Sequence, residues 1–400
     1  MPEPAIGAGH ARCARPPVSA PAPSLRLVLR EWGRIGCIGF GGPPAHIALL
    51  RELCVTRRGW LDDREFEDAI AATNLLPGPA STQLAIYCAW RLRGIAGALV
   101  GGLAFIVPGL VLILALAALF LAGSPPEWVL AAGAGSGAAV AAVALHAAAG
   151  LAPASWRRTA ARPRWVLYAL AGATSAATVG PWLVLVLLAC GAIEVALRHA
   201  RSGAGVTGVH AWPLLAAAGA TSGGLLAVAW VAFKVGALSY GGGFVIIPLM
   251  QHDAVDTYHW MTDAQFLNAV ALGQVTPGPV VHTVAVVGYA AAGIPGGLLA
   301  ATVAFGPSFS FILIGADRFD RLRANQGVRG FLDGAGPAAI GAIAGAAIPL
   351  ALALSQSWQL AILAAAAVAL LVGRRSVVPT LIAAGTVGVL AGALGAPLPG

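Results

Sequence analysis

The 400-residue sequence has little charge: Asp, Glu, Lys and Arg make up 10% of it, against about 25% in an ordinary soluble domain. Apolar residues account for 58%, and the mean hydropathy is +0.81. This balance excludes a soluble enzyme. The apolar residues also form long blocks rather than a short repeat, which excludes a disordered, low-complexity chain. We therefore interpret the chain as an all-α polytopic membrane protein.

Lysine and cysteine are both scarce. The net charge of +8 comes from arginine almost alone, because the chain has one lysine. The arginines lie in short loops between apolar blocks, as the positive-inside rule predicts, so we expect no nucleic-acid partner. The five cysteines are scattered without a CxxC pair or metal-ligand spacing. We therefore expect buried, inert thiols, no metal and no cofactor.

Motifs of soluble catalysis are missing as well. The sequence has no HExxH or GxSxG, and a P-loop needs a Gly-Lys pair, whereas the one lysine follows Phe233. Two acids, Glu31 and Glu194, lie within apolar stretches. Each is either a proton-linked group or the partner of a nearby arginine, Arg34 or Arg198. We predict that the protein is not an enzyme.

Long apolar runs are abundant, and a membrane-spanning helix needs about 20 apolar residues. The runs predict about ten crossings. Residues 1–24 are rich in Pro and Ala and lack an apolar core of signal-peptide length, so we predict a disordered N-terminal tail. The clear candidate spans are 95–122, 129–151, 181–198, 296–315, 331–351, 358–373 and 377–395, and weaker ones are 25–50, 164–180 and 212–250.

The sequence repeats itself at an offset of 200 residues. Residues 34–42 align with 234–242, and a second set of residues recurs further on without a gap. We therefore predict an N-terminal repeat at 25–201, a linker at 202–222 and a C-terminal repeat at 223–400. The recurring residues are Trp60, Asp63, Phe66, Ala69, Ala71, Pro77, Gly78 and Pro79, matched by Trp260, Asp263, Phe266, Ala269, Ala271, Pro277, Gly278 and Pro279.

Loop charges invert between the two repeats. The loop with Arg51, Arg57, Arg58 and Arg64 corresponds to residues 251–263, which contain no Arg or Lys. Three further loop pairs show the same reversal. Because arginine-rich loops stay cytoplasmic, five crossings per repeat would place the second repeat upside down. This inverted topology is typical of secondary transporters.

Two Pro-Gly-Pro triplets, at 77–79 and 277–279, interrupt apolar helical runs. Proline lacks the backbone N–H and glycine permits a tight turn, so each triplet breaks its helix. The run before the first triplet, 64–76, spans only about 20 Å as a helix, short of the ~30 Å hydrocarbon core. We therefore predict paired re-entrant hairpins at 62–93 and 263–292, with a plain kink as the alternative.

A helix that begins inside the membrane presents unpaired amides and a partial positive charge, which attract anions. We expect such amides at 80–83 and 280–283. Arg34 and Lys234 align under the repeat within apolar stretches, where a cation costs about 2.5–3.5 kcal/mol. We interpret both as anion ligands, with snorkelling to the membrane surface as the alternative. Together these features predict a dianion site near the membrane midplane.

The predicted anion-binding residues lie at the triplets, at two glycine-rich stretches, or close to them. The glycines either pack helices closely or unwind them to present amides. Each polar side chain is either an anion ligand or a packing residue, and Thr82 and Thr283 are further candidates. The set is Arg34, Gly41, Gly42, His46, Asn74, Pro77, Gly78, Pro79, Ser81 and Gln83 in the first repeat, and Lys234, Gly241, Gly242, Gln274, Pro277, Gly278, Pro279 and His282 in the second.

The glycine and proline motifs resemble, in order and in both repeats, those of the chromate ion transporter (CHR) family. The first repeat carries GFGGPPAHI at 39–47 and NLLPGPASTQL at 74–84. The second carries GGGF at 241–244 and ALGQVTPGP at 271–279. The resemblance covers residues 25–395 and matches the long, two-domain form of the family.

This resemblance implies an exporter of chromate in a bacterial inner membrane that confers chromate resistance, with sulfate as a competing anion. The membrane potential would drive export, and proton exchange could add to it. A sulfate or other oxyanion permease is the first alternative. A membrane protein that handles phosphorylated lipid is less favoured, because we find no catalytic acid or His pair in the sequence. The expected partners are chromate and membrane lipid, and a homodimer is left open.

Overall fold

The described part of the protein consists of helices and short connections, without a strand. Most of the predicted tail and linker, together with Gly241 and Gly242, lies outside this part. The computed structural model describes residues 22–74, 76–159, 161–178, 183–202, 224–239, 244–316, 319 and 325–399.

Helices α1 to α8 form the described part of the first half. After α2 the chain continues as π-helical turns over Glu52–Arg57. α4 breaks at Arg93 and Gly94, where Gly94 has a φ of 61° that favours glycine. The helices are α1 (Leu25–Ile38), α2 (Pro43–Arg51), α3 (Asp63–Thr73), α4 (Ala80–Phe120), α5 (Glu127–Ala138), α6 (Val140–Arg158), α7 (Arg162–Thr178) and α8 (Leu183–Ser202).

Helices α9 to α15 form the described part of the second half and carry the same irregularities. π-helical turns follow α10 over His252–Thr257, and α12 breaks at Ala292 and Gly293, where Gly293 has a φ of 60°. These features lie 200 and 199 residues after their counterparts. The helices are α9 (Leu225–Leu238), α10 (Ile247–Gln251), α11 (Asp263–Val275), α12 (Thr283–Gly315), α13 (Gln326–Leu352), α14 (Ser357–Ala367) and α15 (Val377–Ala393).

Five helical segments within the described ranges are long and apolar enough to cross a membrane. Three shorter apolar helices accompany them, at Leu225–Leu238, Ser357–Val372 and Val377–Ala393. The fold is therefore that of an all-α polytopic membrane protein, as predicted. The five long segments are Ala80–Phe120, Glu127–Arg157, Leu183–Ala200, Val280–Gly315 and Gln326–Leu352.

The weaker predicted span at 25–50 consists of two separate helices. α1 ends at Ile38 and α2 begins at Pro43, with Gly41 and Gly42 between them at φ values of 98° and 71°. These values favour glycine, and Pro43 suits the first position of the next helix. The described part of the stretch 212–250 contains α9 and α10 as separate helices, so the number of complete crossings stays a prediction.

The long helices differ in how much of their surface the protein covers. In Gln326–Leu352, 72% of the most apolar stretch is buried, against 28% in Leu183–Ala200. Large apolar side chains such as Ile95, Leu226 and Leu352 are exposed. An apolar surface of this kind is unfavourable in water and suits contact with lipid.

Three of the four described cysteines are buried free thiols, as expected: Cys54, Cys88 and Cys190. Cys37 is exposed and departs from that expectation. It lies on the same outward face of α1 as Ile38, and the small, weakly polar thiol is compatible with an apolar environment on that face.

Glycines allow the central helices to approach closely, as is common in membranes. A Cβ added at Gly341 of α13 would lie 1.8 Å from the Ala169 carbonyl oxygen of α7, and one at Gly172 of α7 would lie 1.9 Å from the Ala338 oxygen of α13. The first helix of each half packs similarly, with α1 against α4 and α9 against α12. α4 and α12 contact each other at the junction of the halves.

A substitution at Gly341 tests whether α7 and α13 pack as closely as described. We expect Gly341→Ala to lower the free energy of unfolding by about 1–3 kcal/mol, because the new methyl group forces two backbones apart. The measurement is thermal unfolding of the purified protein in detergent. Gly336→Ala in the same helix is the control, since a Cβ there meets nothing within 4 Å. Equal melting temperatures for the two variants would contradict the packing described.

Candidate functional site

The first hairpin consists of α3 and the part of α4 that precedes Gly94. Asp62 caps α3 by accepting a hydrogen bond from the Glu65 amide (2.7 Å). The Glu65 carboxylate forms an ion pair with Arg91, near the end of the second arm. Because this pair joins the two ends, the arms run antiparallel and the chain reverses at 77–79. The predicted reversal is present, and its depth in a membrane stays a prediction.

The second hairpin consists of α11 and the part of α12 that precedes Gly293. Thr262 and Gln265 form a capping box at its start, with both reciprocal hydrogen bonds present (2.9 and 3.3 Å). Gln251 donates to the Asp263 carboxylate (2.9 Å), where the first half has an ion pair between Arg51 and Asp63. The first arm of each hairpin is thus anchored in the same way to the helix before it.

The tip of each hairpin is bonded to the other half of the chain. The Gly78 amide donates to the carbonyl of Ser239 (2.8 Å), and the Gly278 amide donates to that of Gly39 (2.9 Å). Gly39 and Ser239 are the residues at which α1 and α9 end. Both partners of one bond are 200 residues from those of the other, so the bonds form a reciprocal pair. They bring the two tips and the ends of α1 and α9 into one central site.

The second arms offer fewer free amides than predicted. The amides of Thr82 and Gln83 both donate to the Pro79 carbonyl (2.9 and 3.0 Å). In the second half, the amides of His282 and Thr283 are also bonded within the opening turn. Bonding starts this early because the chain turns tightly after each triplet. The amides outside these bonds are those of Ala80, Ser81, Val280 and Val281.

His46 connects the two hairpins. It is fully buried, with Nε2 2.9 Å from the Gly39 carbonyl oxygen and Nδ1 3.1 Å from Ser81 Oγ. Because a carbonyl only accepts, Nε2 carries the ring hydrogen, and Nδ1 of the neutral ring accepts from the Ser81 hydroxyl. Gly39 also accepts from the Gly278 amide. His46 therefore links the second arm of the first hairpin to the tip of the second.

His282 lies fully buried at the tip of its own hairpin. A Cβ added at Gly278 would lie 3.1 Å from the His282 Cε1. The ring meets Phe305 edge-on (5.3 Å between centroids), as His46 meets Phe105 (5.0 Å). Neither ring nitrogen has a hydrogen-bond partner within the described part of the chain. The two imidazoles lie on either side of one hydrogen bond, because His46 bonds the Gly39 carbonyl that accepts from the Gly278 amide, and His282 lies beside Gly278.

Several other buried polar groups at or near the tips have no hydrogen-bond partner among the described residues. A Cβ added at Gly78 would lie 2.6 Å from Gln83 Nε2 and 3.3 Å from Ser308 Oγ. Each such group costs about 1–3 kcal/mol when unsatisfied, so their concentration indicates a place for a polar ligand. The side chains with unpartnered atoms are Thr82, Gln83, Ser239, Gln274, His282 and Ser308.

The two predicted basic ligands do not converge at the tips. Arg34 is on the exposed face of α1. Lys234 is 13% exposed, its Nζ is 2.6 Å from the Asp253 carboxylate, and it lies over the Trp230 ring (5.8 Å). The parts of α9 that the structure places at the first tip are the carbonyls of Ser239 and Gly236, whereas the charge of Lys234 is directed at Asp253. The expectation of two cations at the tips is thereby corrected.

The two acids in apolar stretches, Glu31 and Glu194, are both paired with arginines. Of the two alternatives, a proton-linked group or the partner of an arginine, the structure shows the second. Glu31 pairs with Arg58 (2.6 Å), not with the nearby arginine of its own helix. Glu194 pairs with Arg164 (2.8 Å) and, as expected, with Arg198 (3.0 Å). Because each carboxylate is buried and neutralised by arginine, both serve the packing of helices in this structure.

The remaining predicted residues divide between the first break, the tips and the surface. Gly41 and Gly42 form the break between α1 and α2, as the positive φ values show, whereas Gly241 and Gly242 lie outside the described residues. Buried residues at or near the tips are Gly78, Pro79, Ser81, Gln83, Gln274, Pro277, Gly278 and Pro279. Asn74 and Pro77 are exposed.

Sequence reasoning missed four side chains at the tips and one partner of a predicted ligand. Phe105 and Phe305 pair with the two histidines, and their 200-residue separation was a usable signal. Ser239 ends α9 at the start of the second glycine-rich stretch and aligns with Gly39, which was also a usable signal. Ser308 lies in an apolar helix beside another serine, Ser310, and carries no distinctive pattern. Asp253 had been assigned to a loop by its charge, and only the folded chain places it against Lys234.

The sequence model of one family, described as "Chromate transporter", matches residues 27–195 and again residues 226–392. The chain belongs to the chromate transporter family. The two matches cover both halves, so the unit of the chromate transporter family occurs twice in the chain. The sites at both tips lie within the matched residues.

Relatives of the chain within the chromate transporter family come from several bacteria. It is 34% identical over 377 residues to the chromate transport protein of Cupriavidus metallidurans, covering 92% of each chain. It is 32% identical to the chromate transport protein of Pseudomonas aeruginosa, covering 84% of this chain and 82% of the relative. The probable chromate transport protein of Synechococcus elongatus is 30% identical, with coverage of 82% and 85%. No solved structure matches the chain.

Substitution of Lys234 tests whether its ion pair with Asp253 stabilises this member of the chromate transporter family. Lys234→Met leaves a buried carboxylate without its counter-charge, so we expect a loss of about 3–5 kcal/mol in the free energy of unfolding. The double variant Lys234→Met/Asp253→Asn should regain most of this loss. Thermal unfolding in detergent measures both.

Transport by the double variant separates the two roles of the lysine. We expect chromate transport close to that of the unsubstituted protein, because the pair lies away from the tips. A double variant that is stable but does not transport chromate would support the original prediction that Lys234 is an anion ligand.

Proposed function

We propose that this protein is a secondary transporter that exports chromate from the cytoplasm across the inner membrane of a bacterium and confers chromate resistance. Its relatives of more than 80% coverage are named chromate transport proteins. The observation that carries the proposal is the central site. There two hairpin tips, each bonded to the other half, surround buried polar groups that lack hydrogen-bond partners among the described residues.

Two halves of opposite orientation would suit alternating access. The reversal of loop charge between the repeats supports the inverted arrangement. The reciprocal tip bonds also support it. The tip of each half bonds the end of the first helix of the other half, and the two bonds involve equivalent residues. Rocking of one half against the other would expose the tips first to one side of the membrane and then to the other.

The membrane potential favours export of a dianion. Moving one elementary charge is worth about 2.3 kcal/mol per 100 mV, so a dianion that leaves a negative interior gains about 4.6 kcal/mol per 100 mV. Export therefore needs no ATP. Uptake of the same anion would need a coupled cation, and the two membrane acids are already paired with arginines.

Sulfate is the expected competitor, because chromate and sulfate are tetrahedral dianions of similar size. A permease for sulfate or another oxyanion is therefore the second candidate, supported by the same neutral polar groups at the tips. A role in handling phosphorylated lipid has less support, since the histidines of the site are buried away from the lipid-facing surface.

The proposed transport can be measured in everted membrane vesicles. Energised vesicles should accumulate chromate, sulfate should compete, and an uncoupler should abolish uptake. Gly78→Ala should lose most of the uptake, because the tip glycine has a φ of 116° and an added Cβ meets Gln83 and Ser308. Gly59→Ala is the control: it also replaces a glycine of positive φ (56°), but a Cβ there meets nothing within 4 Å.

Absence of chromate uptake by energised vesicles that contain the unsubstituted protein would refute export. Uptake of sulfate that chromate does not inhibit would favour the permease.

The inverted arrangement has its own test. In a cysteine-free background, Thr56→Cys and Thr257→Cys introduce thiols at exposed, nearly equivalent positions of the two halves. We expect a membrane-impermeant maleimide to label Thr257→Cys in intact cells and Thr56→Cys only in everted vesicles. Labelling of both from the same side would rule out opposite orientations.

A further inference from the structure

A dianion between the hairpin tips needs positive charge to balance it. Within the described residues, Arg34 is exposed and Lys234 is neutralised by Asp253, so neither supplies that charge. An unbalanced ion is costly in a low-dielectric interior. The ionisable side chains that the structure does place at the tips are two buried histidines, His46 and His282.

We propose that His46 and His282 form a proton-binding pair, and that the oxyanion binds together with one proton taken up by this pair. The inference rests on the proposed function, because it assigns the charge balance of the same site. It changes the expected role of the histidines from hydrogen-bond donors to the source of positive charge.

The hydrogen bonds of His46 show how a proton would act. In the neutral ring, Nε2–H donates to the Gly39 carbonyl and Nδ1 accepts from the Ser81 hydroxyl. A proton from solution would bind the lone pair of Nδ1, and the new N–H would donate to Ser81 Oγ. The Ser81 hydroxyl hydrogen would then turn away and donate to the anion. One proton is gained and no covalent bond breaks; the Ser81 O–H···Nδ1 hydrogen bond is replaced by one from Nδ1–H to Ser81 Oγ.

Ser81 is well placed for this exchange. It is the second residue of the arm that follows the first triplet, and its amide and that of Ala80 are outside the bonds of the opening turn. Protonation of His46 would therefore add a hydroxyl donor and a positive charge beside two backbone amides at a helix N-terminus. These are the groups that stabilise tetrahedral oxyanions in proteins.

His282 supplies the second member of the pair. Among the residues that the structure describes, neither buried ring nitrogen has a hydrogen-bond partner, and the unprotonated nitrogen of the neutral ring has a lone pair that can accept a proton. At the first tip Gln83 takes this place, although the residue 200 positions before His282 is Thr82. A Cβ added at Gly78 would lie 2.6 Å from Gln83 Nε2, as one at Gly278 would lie 3.1 Å from His282 Cε1. Because two neighbouring imidazolium ions repel, the pair is expected to hold one proton rather than two.

The surroundings of the pair contain no competing charge among the residues the structure describes. The elements packed against the two rings present Phe105, Phe305, Gly109 and the backbone of Ile106. His46 is the other ionisable side chain beside the Gly39–Gly278 hydrogen bond that His282 adjoins. By contrast, the two acids in apolar helices are already neutralised by arginines, which leaves the histidines as the better proton site.

Coupled binding makes the anion affinity depend on pH. Burial favours the neutral rings while the site is empty, and an adjacent dianion favours the protonated pair. Uptake of one proton per anion weakens binding by up to about tenfold for each unit of pH increase. Proton and anion then bind cooperatively, so they would cross the membrane together rather than in exchange. Because the exported complex carries one net negative charge, the membrane potential still favours its export, with half the driving force of the bare dianion.

The test counts protons on binding of chromate to the purified full-length protein. Chromate is added at mildly alkaline pH, where the free anion carries no proton, to protein in weakly buffered detergent with a pH indicator. We expect close to one proton taken up per chromate bound, and a dissociation constant that rises steeply with pH.

Matched variants identify the site of uptake. The double variant His46→Gln/His282→Gln removes the two groups that titrate. Each new glutamine side chain keeps a hydrogen-bond donor and an acceptor at the site, and glutamine already occurs at the first tip as Gln83. We expect weak chromate binding without proton uptake and with little dependence on pH. His252→Gln is the control, because this histidine pairs with Asp256 at the surface, and its loss should leave the proton count unchanged.

The outcomes separate the inference from the proposed function. Chromate binding without proton uptake by the unsubstituted protein would overturn the proton pair and leave chromate transport standing. Full proton uptake by the double variant would overturn it too. No chromate binding at any pH would refute the proposed function itself. Because the first measurement uses the unsubstituted protein, the inference is decided even when the double variant does not fold.

Discussion

The central constraint on this structure is that backbone groups exposed by a broken helix need partners when no water is present. Each half breaks its helices at a triplet and at the end of its first helix. The Gly78 amide is satisfied by the Ser239 carbonyl, and the Gly278 amide by the Gly39 carbonyl. Neither half can satisfy its own breaks in this way. The two halves are therefore joined at the point where the chain is least regular.

The two reciprocal hydrogen bonds restrict how the tips can move. A tip that moves relative to the opposite half must give up a backbone hydrogen bond, and a ligand with oxygen acceptors could replace the carbonyl as the partner of the amide. The side chains around the equivalent bonds differ, however: Gln83 stands at one tip and His282 at the other, and His46 has no counterpart in the second half. A nearly symmetric backbone thus carries an asymmetric set of ligands.

Fixed charges hold the periphery of the site rather than its centre. Arg58 and Glu31 join the π-helical turns of the first half to α1, and Asp253 and Lys234 join those of the second half to α9, with the polarity of the pair reversed. Because these charged side chains lie away from the tips, the groups that could contact the anion there are hydroxyls, amides and imidazoles. Such a site can vary its own charge by binding a proton, which a site built on arginine cannot do.

The sequence by itself determined the class of protein, the duplication and the two hairpins, because hydropathy, an offset of 200 residues and the Pro-Gly-Pro triplets are properties of the chain that no tertiary contact can reverse. It also placed His46, Ser81 and His282 among the candidate ligands. Only the tertiary structure decided which candidates meet. Arg34 and Lys234 align in sequence, yet one is exposed and the other is paired with Asp253, because the partner of a charge depends on which segments pack together. The bonds between each tip and the opposite half were equally hidden, since they join residues more than 150 positions apart through backbone atoms that every residue shares.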